Sequence, residues 1–106
     1  MHSLLNLLMK VSIPESEIKE DSAKIVEVNG EQVAVFRHEG SFYAIQNSCP
    51  HRQGSLGEGI VEEGIVTCPL HGWKFDIKTG ASPVFPTAKI KTYNVHVEGN
   101  EIIIEG

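Results

Sequence analysis

The 106-residue chain reads as an all-β domain on three observations. Turn-forming pairs recur at short intervals: Asn29-Gly30, Glu39-Gly40, Glu63-Gly64 and Gly99-Asn100. The runs between them are short and rich in Val, Ile, Phe and Tyr, the residues that suit a pleated, half-buried surface. Helical signals are sparse. Regular turn spacing with short apolar runs indicates strands throughout.

Taken in order, the chain opens on a leucine cluster, Leu4-Leu5-Asn6-Leu7-Leu8-Met9, compatible with an edge strand or a short helical turn. Outside it, Pro14-Glu15-Ser16-Glu17-Ile18 is the one plausible helical turn. Asn29-Gly30 joins Ile25-Val26 to Val33-Ala34-Val35-Phe36 as a hairpin, because both residues tolerate the left-handed backbone of a tight turn. Glu39-Gly40 leads from that strand into Phe42-Tyr43-Ala44-Ile45. Glu62-Glu63-Gly64 turns Ile60-Val61 into Ile65-Val66 and delivers the chain to Cys68. A Thr79-Gly80 turn precedes a proline-stiffened loop, Ala81-Ser82-Pro83-Val84-Phe85-Pro86. Tyr93, Val95 and Val97 alternate with Asn94, His96 and Glu98 as a half-buried strand, which Gly99-Asn100 returns into Ile102-Ile103-Ile104.

Residues 1–106 make one domain, with room for a single core and little surplus stability, so a bound metal would act as a staple. A net charge of −5 and a pI near 5.5 argue against nucleic acid, which demands a basic face. The leucine cluster is far below the ~20 apolar residues that span a membrane and lacks the basic flank of a secretory signal. No dinucleotide fingerprint or phosphate-binding loop occurs. His2, His38 and His96 read as solitary surface or strand histidines, and Glu58, Glu62 and Glu63 as a solvated turn.

The chemistry concentrates in two segments, Cys49-Pro50-His51 and Cys68-Pro69-Leu70-His71. Each supplies one thiolate and one imidazole, and 16 residues separate His51 from Cys68. Cysteine and histidine are the ligands that zinc and iron–sulfur clusters prefer, and two of each could complete a tetrahedral zinc shell. The ligands are distributed as one Cys and one His per loop. A nucleophilic Cys–His pair would leave the second pair unexplained. Gly54 and Gly72 are positions where the backbone must come close or take positive φ, and Trp73 and Phe75 are candidates to wall the site. Residues 46–80 form an insertion that carries both loops on a β base.

With its runs Cys49-Pro50-His51-Arg52-Gln53-Gly54 and Cys68-Pro69-Leu70-His71-Gly72-Trp73-Lys74-Phe75-Asp76, the chain resembles the Rieske family from about Val33 to the C-terminus. The resemblance implies stacked antiparallel sheets with a small cluster-binding subdomain at about 46–80. It also implies one 2Fe–2S cluster held by Cys49, His51, Cys68 and His71, two Cys on one iron and two His on the other. High-potential members carry an additional Cys in each loop, where this chain has Gly54 and Leu70, and hydroxyl side chains where it has Trp73 and Phe75. The pattern is similar instead to soluble Rieske-type ferredoxins of ring-hydroxylating oxygenases and to small subunits of nitrite reductases.

The implied function is a soluble one-electron carrier, not an enzyme. It would pass electrons from a flavin reductase to a terminal oxygenase, or serve beside the large subunit of an assimilatory nitrite reductase. A zinc-bound structural module is a third possibility. Commitment of both cysteines to metal fits a reducing compartment, and the cytoplasm is the expected location.

Overall fold

Four two-residue turns set the register. In the computed structural model, which describes residues 10–50, 54–70, 72–85 and 87–105, each hairpin closes with its flanking residues directly opposed. The closing pairs are Val28 with Glu31, His38 with Ser41, Glu62 with Ile65, and Glu98 with Glu101. At Asn29-Gly30, Glu39-Gly40 and Glu63-Gly64 both turn residues have positive φ, the type I′ geometry whose twist matches that of the strands. The leucine cluster at 4–9 lies outside the described residues.

The described residues form nine strands: β1 (Lys10–Pro14), β2 (Ala23–Val28), β3 (Glu31–His38), β4 (Ser41–Gln46), β5 (Ile60–Glu62), β6 (Ile65–Thr67), β7 (Lys74–Asp76), β8 (Thr92–Glu98) and β9 (Glu101–Glu105). Six form an antiparallel sheet in the order β1-β9-β8-β4-β3-β2, and three form a second sheet, β5-β6-β7. The all-β expectation holds. The helical turn expected at 14–18 is a 3-10 turn over Glu15–Glu17. A second 3-10 turn, Leu56–Glu58, and strands β1 and β7 were not foreseen. β7 is three residues long, too short to show a period, and β1 is defined by its pairing with the distant β9.

β3 holds the two layers together. Its residues Val33, Ala34, Val35 and Phe36 are all fully buried, so the strand is covered on both faces. Val33 and Val35 face one core with Val28, Ala44, Tyr93, Ile102 and Ile104. Ala34 and Phe36 face another with Ile45, Leu56, Val66, Phe75, Ile77, Cys49 and Cys68. The period-2 alternation of one strand thus sends neighbouring side chains into separate cores. Full burial of Phe36 or Phe75 contributes roughly 1.5–3 kcal/mol each.

His38 does not stand alone, contrary to the sequence reading. Its Nδ1 lies 2.7 Å from Asp21 Oδ1 and 3.9 Å from Glu20 Oε2, its Nε2 lies 3.7 Å from Glu39 Oε1, and only 12% of its side chain is exposed. Asp21 is 17 residues away in sequence, so the cluster exists only after β3 pairs. The Asp21 hydrogen bond, helped by the surrounding carboxylates and opposed by burial, raises the His38 pKa above 6.5. His96, 47% exposed at its side chain, lies on the strand surface as expected but is not solitary either, with Glu98 at 3.3 Å and Glu105 at 3.8 Å, and His2 lies outside the described residues.

A group protonated more readily when folded stabilises the fold fully below its unfolded pKa and loses that contribution as pH rises through the folded value. Stability should therefore fall from about pH 6.5 upward, and the fall should be absent in His38→Gln and weakened in Asp21→Asn. Urea midpoints of the three proteins across neutral pH provide the check.

Candidate metal centre

Both cysteine segments are tips of hairpin-like turns, closed in the same way. The first tip spans 49–54, above a bridge between Ser48 and Ser55. The second spans 68–73, above the β6–β7 pair Thr67 with Lys74. In each, the N–H of the first residue donates to the carbonyl of the sixth: Cys49 to Gly54 at 2.8 Å, and Cys68 to Trp73 at 2.7 Å. Cysteine therefore holds the same place in both segments, the residue whose N–H reaches the carbonyl five positions on. Both cysteines are buried, with 1% and 2% exposed, in one core cluster with Phe75 and Leu56.

The tips touch. A Cβ built at Gly54 would stand 2.7 Å from Cys68 Sγ and 3.2 Å from Leu70 Cγ, so only hydrogen fits where the first tip meets the second. Gly72 has φ +73°, and its N–H returns to the Cys68 carbonyl at 3.1 Å, folding the second tip tightly. Both glycines meet the sequence expectation, by different routes. Phe75 is fully buried beside the cysteines, and Trp73 packs against the same cluster. Trp73 also stacks on Phe85 of the 81–86 loop, ring centroids 4.7 Å apart. Pro86 of that loop lies outside the described residues.

Asn47 anchors the first tip and was missed as a site residue. Buried to 4% exposure, it accepts the Gly57 N–H at its Oδ1 (2.7 Å) and donates from Nδ2 to Ser55 Oγ (3.0 Å). Its backbone carbonyl accepts the Leu56 N–H at 2.8 Å. An asparagine two residues before the cysteine is the only sequence trace of this role, and asparagine is equally common in turns.

Of the four expected ligands, Cys49 and Cys68 are brought into one core on adjoining tips, while His51 and His71 lie outside the described residues. The described donors suit a metal–sulfur centre: two buried thiols presented together by backbone-closed tips within one apolar cluster. Glu58, Glu62 and Glu63 are exposed on the 3-10 turn and the β5–β6 hairpin, as the solvated-turn reading expected. Leu70, Val84 and Phe85, with 57%, 56% and 44% exposed, add apolar surface on the second tip and the 81–86 loop. Among the described residues no helix is long and apolar enough to cross a membrane.

Comparison with known proteins agrees with this geometry. Residues 9–94 match the family model of the Rieske 2Fe-2S domain. The chain is 38% identical over 90 residues to the ferredoxin component of a naphthalene 1,2-dioxygenase system from Pseudomonas aeruginosa, covering 84% of this chain and 86% of that one. It is equally identical over 94 residues to the 3-phenylpropionate/cinnamic acid dioxygenase ferredoxin subunit of Escherichia coli, covering 87% and 88%. Among solved structures, the ferredoxin of carbazole 1,9a-dioxygenase from Nocardioides aromaticivorans superposes with a TM-score of 0.85 at 32% identity, covering 92% and 97%. A ferredoxin solved in complex with the oxygenase of carbazole 1,9a-dioxygenase gives 0.85 at 26%, covering 93% and 94%. A protein described as an NADPH nitrite reductase small subunit gives 0.83 at 25%, covering 93% and 100%. With paired cysteine tips on a two-sheet β frame and a family match over most of its length, the chain belongs to the Rieske 2Fe-2S domain family.

Proposed function

We propose that this chain is a soluble one-electron carrier, acting between a flavin reductase and the terminal oxygenase of a ring-hydroxylating system. Cys49 and Cys68 would ligate one iron of its 2Fe–2S cluster, and His51 and His71 the other. The observation that carries the reading is the like placement of the two cysteines, each donating its N–H to the carbonyl five positions on and both buried in one cluster. A Rieske-type cluster supplies reversible one-electron exchange when bound. The imidazoles bring no charge, so this ligand set offsets the positive charge of the irons less than four thiolates would, which eases acceptance of an electron. With protein and sulfide filling every iron position, no site is left for substrate, and the chain would carry electrons without itself transforming a molecule.

The oxygenase-linked role rests on the dioxygenase ferredoxins, which share 38% of aligned residues with this chain over most of its length. The nitrite reductase role has a structural resemblance at 25% identity behind it and is the weaker reading. Thiol ligands suit a reducing compartment, and we place the chain in the cytoplasm on that ground. Residues 46–80 would form the cluster-binding subdomain, with β5-β6-β7 as its sheet.

Three expectations follow for the purified, loaded protein. Cys49→Ser, Cys68→Ser, His51→Ala and His71→Ala should each lose the cluster, read as loss of visible absorption and of iron and sulfide; about two irons per chain retained in any of them contradicts the ligand set. Gly54→Ala forces a methyl against Cys68 Sγ and Leu70, and overpacking of this kind costs about 1–3 kcal/mol. It should fold yet load poorly, and a normally loaded, equally stable variant would show that the tips can spread. Without side-chain hydroxyls at Trp73 and Phe75 to stabilise the added electron, the midpoint by protein-film voltammetry at neutral pH should lie toward about −150 mV rather than +300 mV.

A further inference from the structure

The loop after β7 is built to present one aromatic ring. Ser82, 5% exposed, accepts the N–H groups of Val84 (3.2 Å) and Phe85 (3.0 Å) at its Oγ. Its own N–H donates to the Ala88 carbonyl at 3.0 Å, and the Ala88 N–H donates to the Phe85 carbonyl at 2.8 Å. A buried hydroxyl serving two amides fixes the local backbone, so the direction in which Phe85 leaves the loop is set by Ser82. Phe85 then lies on Trp73 with centroids 4.7 Å apart and planes tilted by 31°. Trp73 is the residue whose carbonyl closes the Cys68 tip.

We propose that Phe85 is a positioning residue for the metal centre: held by Ser82, it clamps Trp73 and so keeps the second cysteine tip closed and shielded from water. The inference rests on the electron-carrier reading and adds a residue from outside the ligand loops to it. Three residues then act in series. Ser82 shapes the loop, Phe85 seats Trp73, and the Trp73 carbonyl holds the Cys68 amide in the tip. An aromatic pair at this distance and tilt contributes beyond its buried area, which suits a contact that must fix a position as well as fill space. Val84, next to Phe85 and more exposed, carries no ring to stack on Trp73 and supplies the internal control.

The direction of the effect is set by solvation. Reduction adds negative charge at the centre, and water admitted beside the Cys68 tip stabilises that charge, so loosening the clamp raises the midpoint potential. The chain has a single tryptophan, so fluorescence reports on Trp73 alone. The test measures the loaded wild type, Phe85→Ala, Phe85→Leu, Ser82→Ala and Val84→Ala by protein-film voltammetry and by acrylamide quenching of the tryptophan. Phe85→Ala and Ser82→Ala should raise the midpoint and red-shift and expose Trp73. Phe85→Leu, which keeps most of the volume without the ring, should lie between and decides the matter if the alanine variant does not load. Val84→Ala should match wild type. An unmoved or lowered midpoint in the Phe85 and Ser82 variants overturns the clamp, as does an equal shift in Val84→Ala. A wild type that purifies with no iron–sulfur absorption overturns the electron-carrier reading instead, a result distinct from a loaded wild type whose potential ignores Phe85.

Discussion

Two backbone hydrogen bonds, from Cys49 N–H to the Gly54 carbonyl and from Cys68 N–H to the Trp73 carbonyl, decide where the only two thiols of this chain stand. Each shuts a six-residue tip with cysteine at its first position, and the rest of the molecule serves to bring those tips together. β6 and β7 carry the second tip, the Ser48–Ser55 bridge and buried Asn47 carry the first, and β3 couples the small sheet to the large one through Ala34 and Phe36. Where the tips meet there is space for a glycine alone, since any Cβ at position 54 would press on the Cys68 sulfur. A single core cluster containing both cysteines is the outcome.

This arrangement separates two tasks that many metal sites combine. The frame is made by ordinary β-sheet physics: type I′ turns, alternating strands and a twice-covered central strand. Among the described residues, Gly54, Leu70, Phe75 and Trp73 pack about the two cysteines. Such neighbours bring bulk and exclude water from the tips, the basis of the low midpoint proposed above. The His38 cluster with Glu20, Asp21 and Glu39 ties the C-terminal end of β3 to the loop before β2 and belongs to the frame.

The parts legible in the sequence were those written in adjacent residues. Asn29-Gly30 declares its hairpin because both residues must adopt positive φ, and the Cys-Pro pairs declare the tips because no other cysteines compete. Gly54 and Gly72 could be singled out for the same reason, although their functions differ: one avoids a sulfur, the other takes a left-handed turn. What could not be read was whatever depends on distant pairing. His38 reads as solitary in the sequence because Asp21 reaches it only across β2 and β3, and β1 becomes a strand by pairing with β9 at the far end of the chain. Asn47 and Ser82 look like turn residues until their burial shows that they hold backbone amides within the site.

The central claim is that one chain supplies two chemically unlike iron positions, one faced by sulfur from Cys49 and Cys68 and the other by imidazole nitrogen. Mössbauer spectroscopy of the anaerobically purified and then reduced protein tests this most directly, because it resolves the ligation and valence of each iron. The account predicts two iron sites in equal amount with different ligand environments, the added electron residing on the nitrogen-bound iron. Two irons of identical, all-sulfur character, or a protein holding zinc and no iron, would contradict it.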